Sequence, residues 1–129
     1  MSAPIQRPTP DGAAATERVR EICSRLAGVE ERLSHGEATW FVSRRSFAMM
    51  ADHHHGDRVA VHMAAREGVQ EQLVSEDPSR FFRPPYVGSR GWIGVYVDRR
   101  ATAALWRTIH ELLYEAWDLI AAPSVPRPE

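Results

Sequence analysis

Four short segments with the pattern of β-strands follow one another in the first half of the chain, and they constrain the fold more than any other feature. They cover residues 29–33, 39–42, 47–51 and 58–64. In the last segment Val59, Val61 and Met63 alternate with small or polar residues, as in a strand with one face in the core. Consecutive strands joined by short loops form an antiparallel meander, and residues 35–37 and 43–46 are the predicted turns.

Segments with a helical period lie on both sides of this meander. Apolar residues from Val19 to Leu26 predict a first helix that begins after Thr16 as its N-cap. Residues 67–75 predict a short second helix, residues 92–97 a fifth strand, and residues 101–122 a long helix with a stripe of apolar residues. The order α-β-β-β-β-α-β-α predicts an α+β two-layer sandwich, in which an antiparallel sheet of about five strands carries the helices on one face.

Length and composition predict one domain over residues 15–122, with a flexible arm at 1–14 and a flexible tail at 123–129. The chain has 129 residues, and its first 14 include three prolines and one glycine with little to bury. The net charge of −1 provides no overall attraction to nucleic acid or to an anionic membrane. We expect a cytoplasmic protein, because the first residues lack the pattern of a signal peptide and the longest helix carries charges.

No motif in the sequence predicts catalysis, so we expect a protein that is not an enzyme and has no cofactor. The P-loop, the dinucleotide-binding glycine pattern and the zinc-protease motif are all missing. The single cysteine, Cys23, cannot form an internal disulfide and lies on the apolar face of the first predicted helix.

Histidines provide two further candidates for chemistry. His53, His54 and His55 are consecutive, so His53 and His55 are weak metal-ligand candidates, and a solvated turn is the main interpretation. His62 alternates with the core-facing residues of its strand and is predicted to lie on the outer surface of the sheet.

Arginines are concentrated between residues 80 and 100, where five of them accompany one carboxylate, Asp98. All 16 basic residues of the chain are arginine, whose planar guanidinium can bind phosphate through two hydrogen bonds or stack on a ring. Arginines interleaved with aromatic residues suit phosphate contacts combined with stacking on bases or sugars. The predicted nucleic-acid contacts are Arg44, Arg45, Arg80, Arg83, Arg90, Trp92 and Tyr96.

The aromatic residues of this segment also have a purely structural interpretation. Phe81, Phe82 and Tyr86 would close the edge of the core while Pro84-Pro85 shapes the turn. In the binding interpretation Trp92 and Tyr96 lie on the outward face, provided that Ile93, Val95 and Val97 are buried.

The block Phe81-Phe82-x-Pro84-Pro85-Tyr86-Val87-Gly88-x-x-Gly91-Trp92 resembles the signature of the MmcQ/YjbR-like family. Residues 34–36, 39–42 and 51–56 are similar to earlier segments of that family, and the resemblance extends over about residues 14–122. Two departures are Ala38, where the family often has proline, and Ser43-Arg44-Arg45-Ser46, where it often has glycine with lysine.

The resemblance implies a compact α+β fold similar to the frataxin/CyaY-like arrangement. It also implies a DNA-binding role, with two β-hairpin wings and the open sheet face as the contact surface. The family has no established catalytic residues that could be assigned to positions in this chain.

Two alternatives to DNA binding stay open at this point. The first is a protein-interaction or chaperone-like module, or a homodimer, that uses an exposed sheet face lined by Ala60, Ala64 and Gly94. The second is a frataxin-like metal-binding protein that uses the loop from His53 to His55.

Overall fold

The structure, a computed structural model, describes residues 9–53, 58–98 and 100–128. Within them the chain forms three helices and six strands in the predicted α+β arrangement. The elements are α1 (Pro10–Cys23), β1 (Glu30–Ser34), β2 (Glu37–Val42), β3 (Arg45–Asp52), β4 (Val59–Met63), α2 (Val69–Glu76), β5 (Phe81–Phe82), β6 (Ile93–Tyr96) and α3 (Ala103–Ile120). A 3-10 turn, Val87–Arg90, lies between β5 and β6.

The strands form one antiparallel sheet in the order β1-β2-β3-β4-β6-β5, as a meander followed by a hairpin of the last two strands. The sheet has six strands rather than about five because Phe81 and Phe82 pair with Val95 and Gly94. A two-residue strand is too short to show a period of two, so no sequence pattern predicts it.

Tight turns set the register of the meander. His35 and Gly36 join β1 to β2, and Ser43 and Arg44 join β2 to β3, all four with positive φ. Two-residue turns of this kind match the right-handed twist of the strands that they connect. At Phe47 the pairing of β2 with β3 shifts by one residue, which leaves Phe47 buried in the core beside Ala48.

Helices α1 and α3 pack on one face of the sheet, against β3 and β4. The largest side chains buried there include Trp40, Phe47, Met50, Ile109 and Trp117. Both indoles are satisfied, since Trp40 donates to Glu31 and Trp117 donates to the carbonyl of Ala27. Cys23 is buried in the same core, and its burial raises the pKa of the thiol to about 12.

Helix α1 begins at Pro10, so the prediction that Thr16 is its N-cap is wrong. Thr9 is the cap instead, and its hydroxyl accepts a hydrogen bond from Gly12 N. Proline suits the first helical position because its missing N–H would have no partner there. Gly12 is required for packing, since a Cβ at that position would overlap the Asp52 carboxylate.

Asp52 ties this helix start to the end of β3. Its carboxylate accepts from Thr9 N at 2.8 Å and from Thr9 Oγ1 at 2.9 Å. Burial acts to raise the pKa of Asp52, but the hydrogen bonds from Thr9 and His53 outweigh it and hold the pKa below its usual value. At the other end of the chain, the Arg127 side chain donates to Asp118 and lies over the Trp117 ring. The division into arm, domain and tail stays a prediction.

Candidate nucleic-acid interface

Two strand connections that carry arginines lie at the same end of the sheet. Strand β3 begins at this end with Arg45, and β4 returns to it with Met63, which pairs with the first residue of β6. The β2–β3 turn and the connection from β5 to β6 therefore share this end. We call it the arginine end, after Arg44, Arg45, Arg83 and Arg90.

The β2–β3 turn presents Arg44 and Arg45 to solvent. Arg44 is the second turn residue, with φ of 68°, and Arg45 pairs with Val42 as the first residue of β3. Ser43 anchors the turn, because its hydroxyl accepts a hydrogen bond from Ala122 N just beyond α3 at 2.9 Å. The two cations thus stand on a fixed hairpin tip.

The β5–β6 connection presents Arg83 and Arg90, both exposed. The Arg83 side chain packs on the backbone of Gly88, where a Cβ would lie 2.6 Å from Arg83 Cγ. The Arg90 guanidinium carbon lies 5.3 Å from the centre of the Trp92 ring. The stem of Arg83 and the guanidinium of Arg90 are thus each in contact with the connection, while both residues stay exposed to solvent.

None of the four arginines has a carboxylate partner within the described ranges 9–53, 58–98 and 100–128. Six other described arginines form ion pairs, at 2.6 to 3.5 Å, namely Arg20, Arg25, Arg58, Arg66, Arg80 and Arg127. The four that remain among the described residues, Arg18, Arg32, Arg100 and Arg107, form none either. The cations at the arginine end are therefore open to an external anion.

Arg80, also a predicted nucleic-acid contact, does not belong to this group. Its Nε lies 3.5 Å from Asp77, and its carbonyl accepts from Tyr96 N at the opposite end of β6. The structure thus brings four of the five predicted arginines to one end of the sheet and separates the fifth.

The prediction that Trp92 faces outward is wrong, because its side chain is only 4% exposed and lies in the core. Strand β6 begins one residue later, at Ile93, so the alternation of the strand does not extend to Trp92. Its backbone N–H donates to the Val87 carbonyl, and its backbone carbonyl accepts from the Gln70 side chain. A ring buried in the core cannot stack on a base.

Tyr96 does lie on the outward face, where it is half-buried in a small aromatic cluster. Its ring stacks on the Phe82 ring with the two ring centres 4.6 Å apart, and the guanidinium carbon of Arg58 lies 3.9 Å from the centre of the Tyr96 ring. Arg58 also donates to Asp98 at 2.7 Å. Burial acts to raise the pKa of Asp98, but hydrogen bonds from Arg58 and from the backbone N–H of Arg100 lower it overall.

Phe82 also covers the neighbouring part of the outward face. Its ring packs over Gly94, where a Cβ would overlap it, and meets the edge of His62 at 5.7 Å. His62 is only 7% exposed, so the prediction that it is a surface residue is wrong. Ala60 and Ala64 are buried as well, and the exposed face of small residues expected for a protein-interaction module is absent from this part of the described sheet.

The metal-ligand candidates are only partly described. The Nδ1 atom of His53 is hydrogen-bonded to the Asp52 carboxylate, whereas His54 and His55 lie outside the described residues. Among the described residues, no three His, Cys, Asp or Glu side chains are grouped as a metal site would require. The metal-binding hypothesis therefore stays a prediction.

Two residues that matter at the arginine end, Gln70 and Tyr86, are not among the predicted contacts. Gln70 of α2 is 4% exposed, and its amide donates to the carbonyls of Gly88 and Trp92. Tyr86 was expected to close the core edge, but its side chain is 95% exposed. A lone Gln in a short helix carries no pattern that would reveal such contacts, and the Pro-Pro-Tyr run alone does not set the direction of the ring.

None of the described helices could span a bilayer, and even the 18-residue α3 carries charged side chains along its length.

Comparison with known proteins identifies the family. The fold is similar to the crystal structure of the Deinococcus radiodurans protein DR2400, which has a DUF419 domain, with a TM-score of 0.70 at 15% sequence identity. That match covers 87% of this chain and 82% of the other. A search of curated proteins yields no significant match. The YjbR family model matches residues 24–119, and the chain therefore belongs to the YjbR family.

Proposed function

We propose that this protein binds DNA without catalysing a reaction, and that the arginine end holds the phosphate backbone. The observation that carries this proposal is the grouping of Arg44, Arg45, Arg83 and Arg90 on two connections at one end of the sheet, without carboxylate partners among the described residues. Exposed arginines contribute little to stability, so their grouping is better explained by binding.

The local charge supports this assignment although the whole chain is slightly acidic. Residues 38–51 and 80–97 contain no Asp or Glu. On α3, Glu115 is neutralised by Arg66, and Asp118 by Arg66 and Arg127. A duplex that approaches the arginine end therefore meets two connections that carry four arginines and no carboxylate, although the exposed Glu67 and Glu71 lie near the start of α2.

The spacing of the two connections is suitable for a duplex. Three strand intervals separate the β2–β3 hairpin from the β5–β6 hairpin, which is roughly 14 Å at about 4.8 Å per interval. The major groove of B-DNA is about 12 Å wide, so the two pairs of arginines can contact the backbones on its two sides. Such contacts position a protein without reading bases, and we expect weak sequence preference.

A salt titration of binding to a labelled duplex, followed by fluorescence anisotropy, tests this proposal. Four phosphate contacts predict a slope of about −3.5 in a plot of log affinity against log salt concentration. Replacement of Arg44, Arg45, Arg83 and Arg90 by alanine is expected to abolish the salt dependence together with most of the affinity.

The matched control replaces Arg100 and Arg107, which are also exposed but lie toward the other end of the domain. This control is expected to retain most of the affinity and nearly the full slope. Wild-type protein that binds no duplex at low salt would refute the proposal, and so would a four-alanine variant that binds like the wild type.

A further inference from the structure

We propose that Tyr86 is a stacking platform for an unpaired base, so that the preferred ligand includes a single-stranded segment of nucleic acid. This inference rests on the proposed DNA-binding function and extends it from phosphate contacts to the bases.

The backbone at Tyr86 adopts a conformation that residues other than glycine rarely occupy. Its φ is 64° and its ψ is −71°, and Val87 N donates across it to the carbonyl of Pro85 at 2.7 Å. This is a γ-turn with positive φ at its centre, which is rare and strained. Such strain persists only where the surroundings hold it, and it is concentrated at binding sites.

The surroundings of Tyr86 hold the turn from several sides. Gly88 N donates to the Pro84 carbonyl at 3.0 Å, and the Ser89 hydroxyl donates to the Tyr86 carbonyl at 2.9 Å. From below, Gln70 donates to the Gly88 carbonyl, and Pro84 is buried. The loop is therefore preorganised, and the ring at its tip does not collapse onto the core.

The position of the ring favours a flat ligand over an inserted side chain. At 95% exposure Tyr86 lines no groove, and its neighbours Pro85 and Ser89 are exposed too. A single exposed aromatic face is suited to stacking on another planar group, and bases stack on aromatic side chains in single-strand-binding proteins.

The charges around the ring favour nucleic acid over a protein partner. Arg83 and Arg90 precede and follow Tyr86 in the same connection, and no carboxylate occurs in residues 80–97. Bases in a duplex are already stacked on one another, so this ring would stack on an unpaired base while the arginines hold the neighbouring phosphates.

The experiment compares affinities for an oligothymidylate of roughly 12 nucleotides and for a duplex of equal length, at one low salt concentration. Tyr86→Ala is expected to weaken binding to the single strand about five- to 150-fold and to leave duplex binding unchanged. Tyr86→Phe keeps the ring and is expected to bind both ligands like the wild type. Leu33→Ala, at another strongly exposed apolar residue (79%), is the matched control and is expected to change neither affinity.

The possible results separate this inference from the proposed function. If Tyr86→Ala leaves the affinity for the single strand unchanged, or lowers the affinities for both ligands equally, the stacking role is overturned. Duplex binding by the arginines stands in either case. An unchanged single-strand affinity would assign the exposed ring to a protein partner instead. Wild-type protein that binds the duplex but not the oligothymidylate also overturns the inference alone, whereas binding to neither ligand overturns both proposals.

Discussion

Replacement of Gln70 tests whether the arginine end is a rigid, prebuilt surface. The Gln70 amide is buried in α2 and donates to two backbone carbonyls of the β5–β6 connection, that of Gly88 in the 3-10 turn and that of Trp92 just before β6. In Gln70→Ala the Trp92 carbonyl loses this donor in a site with little access to water, whereas the Gly88 carbonyl still accepts from Gly91 N. A buried group left without a partner costs about 1–3 kcal/mol, so we expect a loss of about 1–3 kcal/mol in the free energy of unfolding.

Two further variants separate the causes of that loss. Gln70→Leu keeps approximately the same volume but cannot donate, and we expect it to lose most of the same stability. Gln72→Ala is the matched control on the same helix, because Gln72 is exposed and donates to Glu76. We expect that change to stay within about 0.5 kcal/mol.

Urea unfolding followed by tryptophan fluorescence measures these differences as shifts in the transition midpoint at constant m-value. The same variants can be assayed for duplex binding, where a loosened connection that carries Arg83 and Arg90 is expected to weaken affinity. If Gln70→Ala unfolds at the same urea concentration as Gln72→Ala, the two hydrogen bonds do not hold the connection, and our reasoning is refuted.

Two other changes test the contacts that position α1 and the aromatic cluster. The folded-state pKa of Asp52 is lowered, so its contribution to stability is full above its unfolded pKa of about 3.9 and is lost as the pH falls through the folded value. Asp52→Asn is therefore expected to lower the free energy of unfolding by about 1–3 kcal/mol at pH 7. On acidification to about pH 3 the variant is expected to lose less stability than the wild type, as measured by urea unfolding at both pH values. Equal losses of stability on acidification would contradict this. Gly94→Ala places a Cβ where the Phe82 ring lies. We expect it to lower the free energy of unfolding by about 1–3 kcal/mol in the same assay. An unchanged unfolding midpoint would mean that the Phe82 ring is free to move away.

The elements of the fold were readable from local pattern. The meander was predicted because Val59, Val61 and Met63 alternate with small or polar neighbours and because the turns are short. The long helix was predicted from its apolar stripe, which packs against the sheet. A period of two or of 3.6 residues is a property of neighbouring positions, so it can be read without knowledge of distant contacts.

The start of α1 and strand β5 were missed for physical reasons of a different kind. The helix was expected to begin after Thr16, but Pro10 occupies the one helical position that favours proline, and Gly12 makes room for a carboxylate 40 residues away in the chain. Strand β5 is extended because Phe81 and Phe82 pair with β6, and two residues have no pattern of their own.

The candidate site shows the same division between local and distant information. The sequence by itself determined that arginines and aromatic residues are concentrated between residues 80 and 100 and that a second pair, Arg44 and Arg45, sits at a hairpin turn. Only the tertiary structure decided that Arg80 lies at the opposite end of β6 from Arg83, that Trp92 is in the core and that Tyr86 is exposed. Burial and position in the sheet depend on which distant segments meet, and the strand order that brings Arg44 and Arg83 to one end of the sheet is set by those long-range contacts rather than by local sequence.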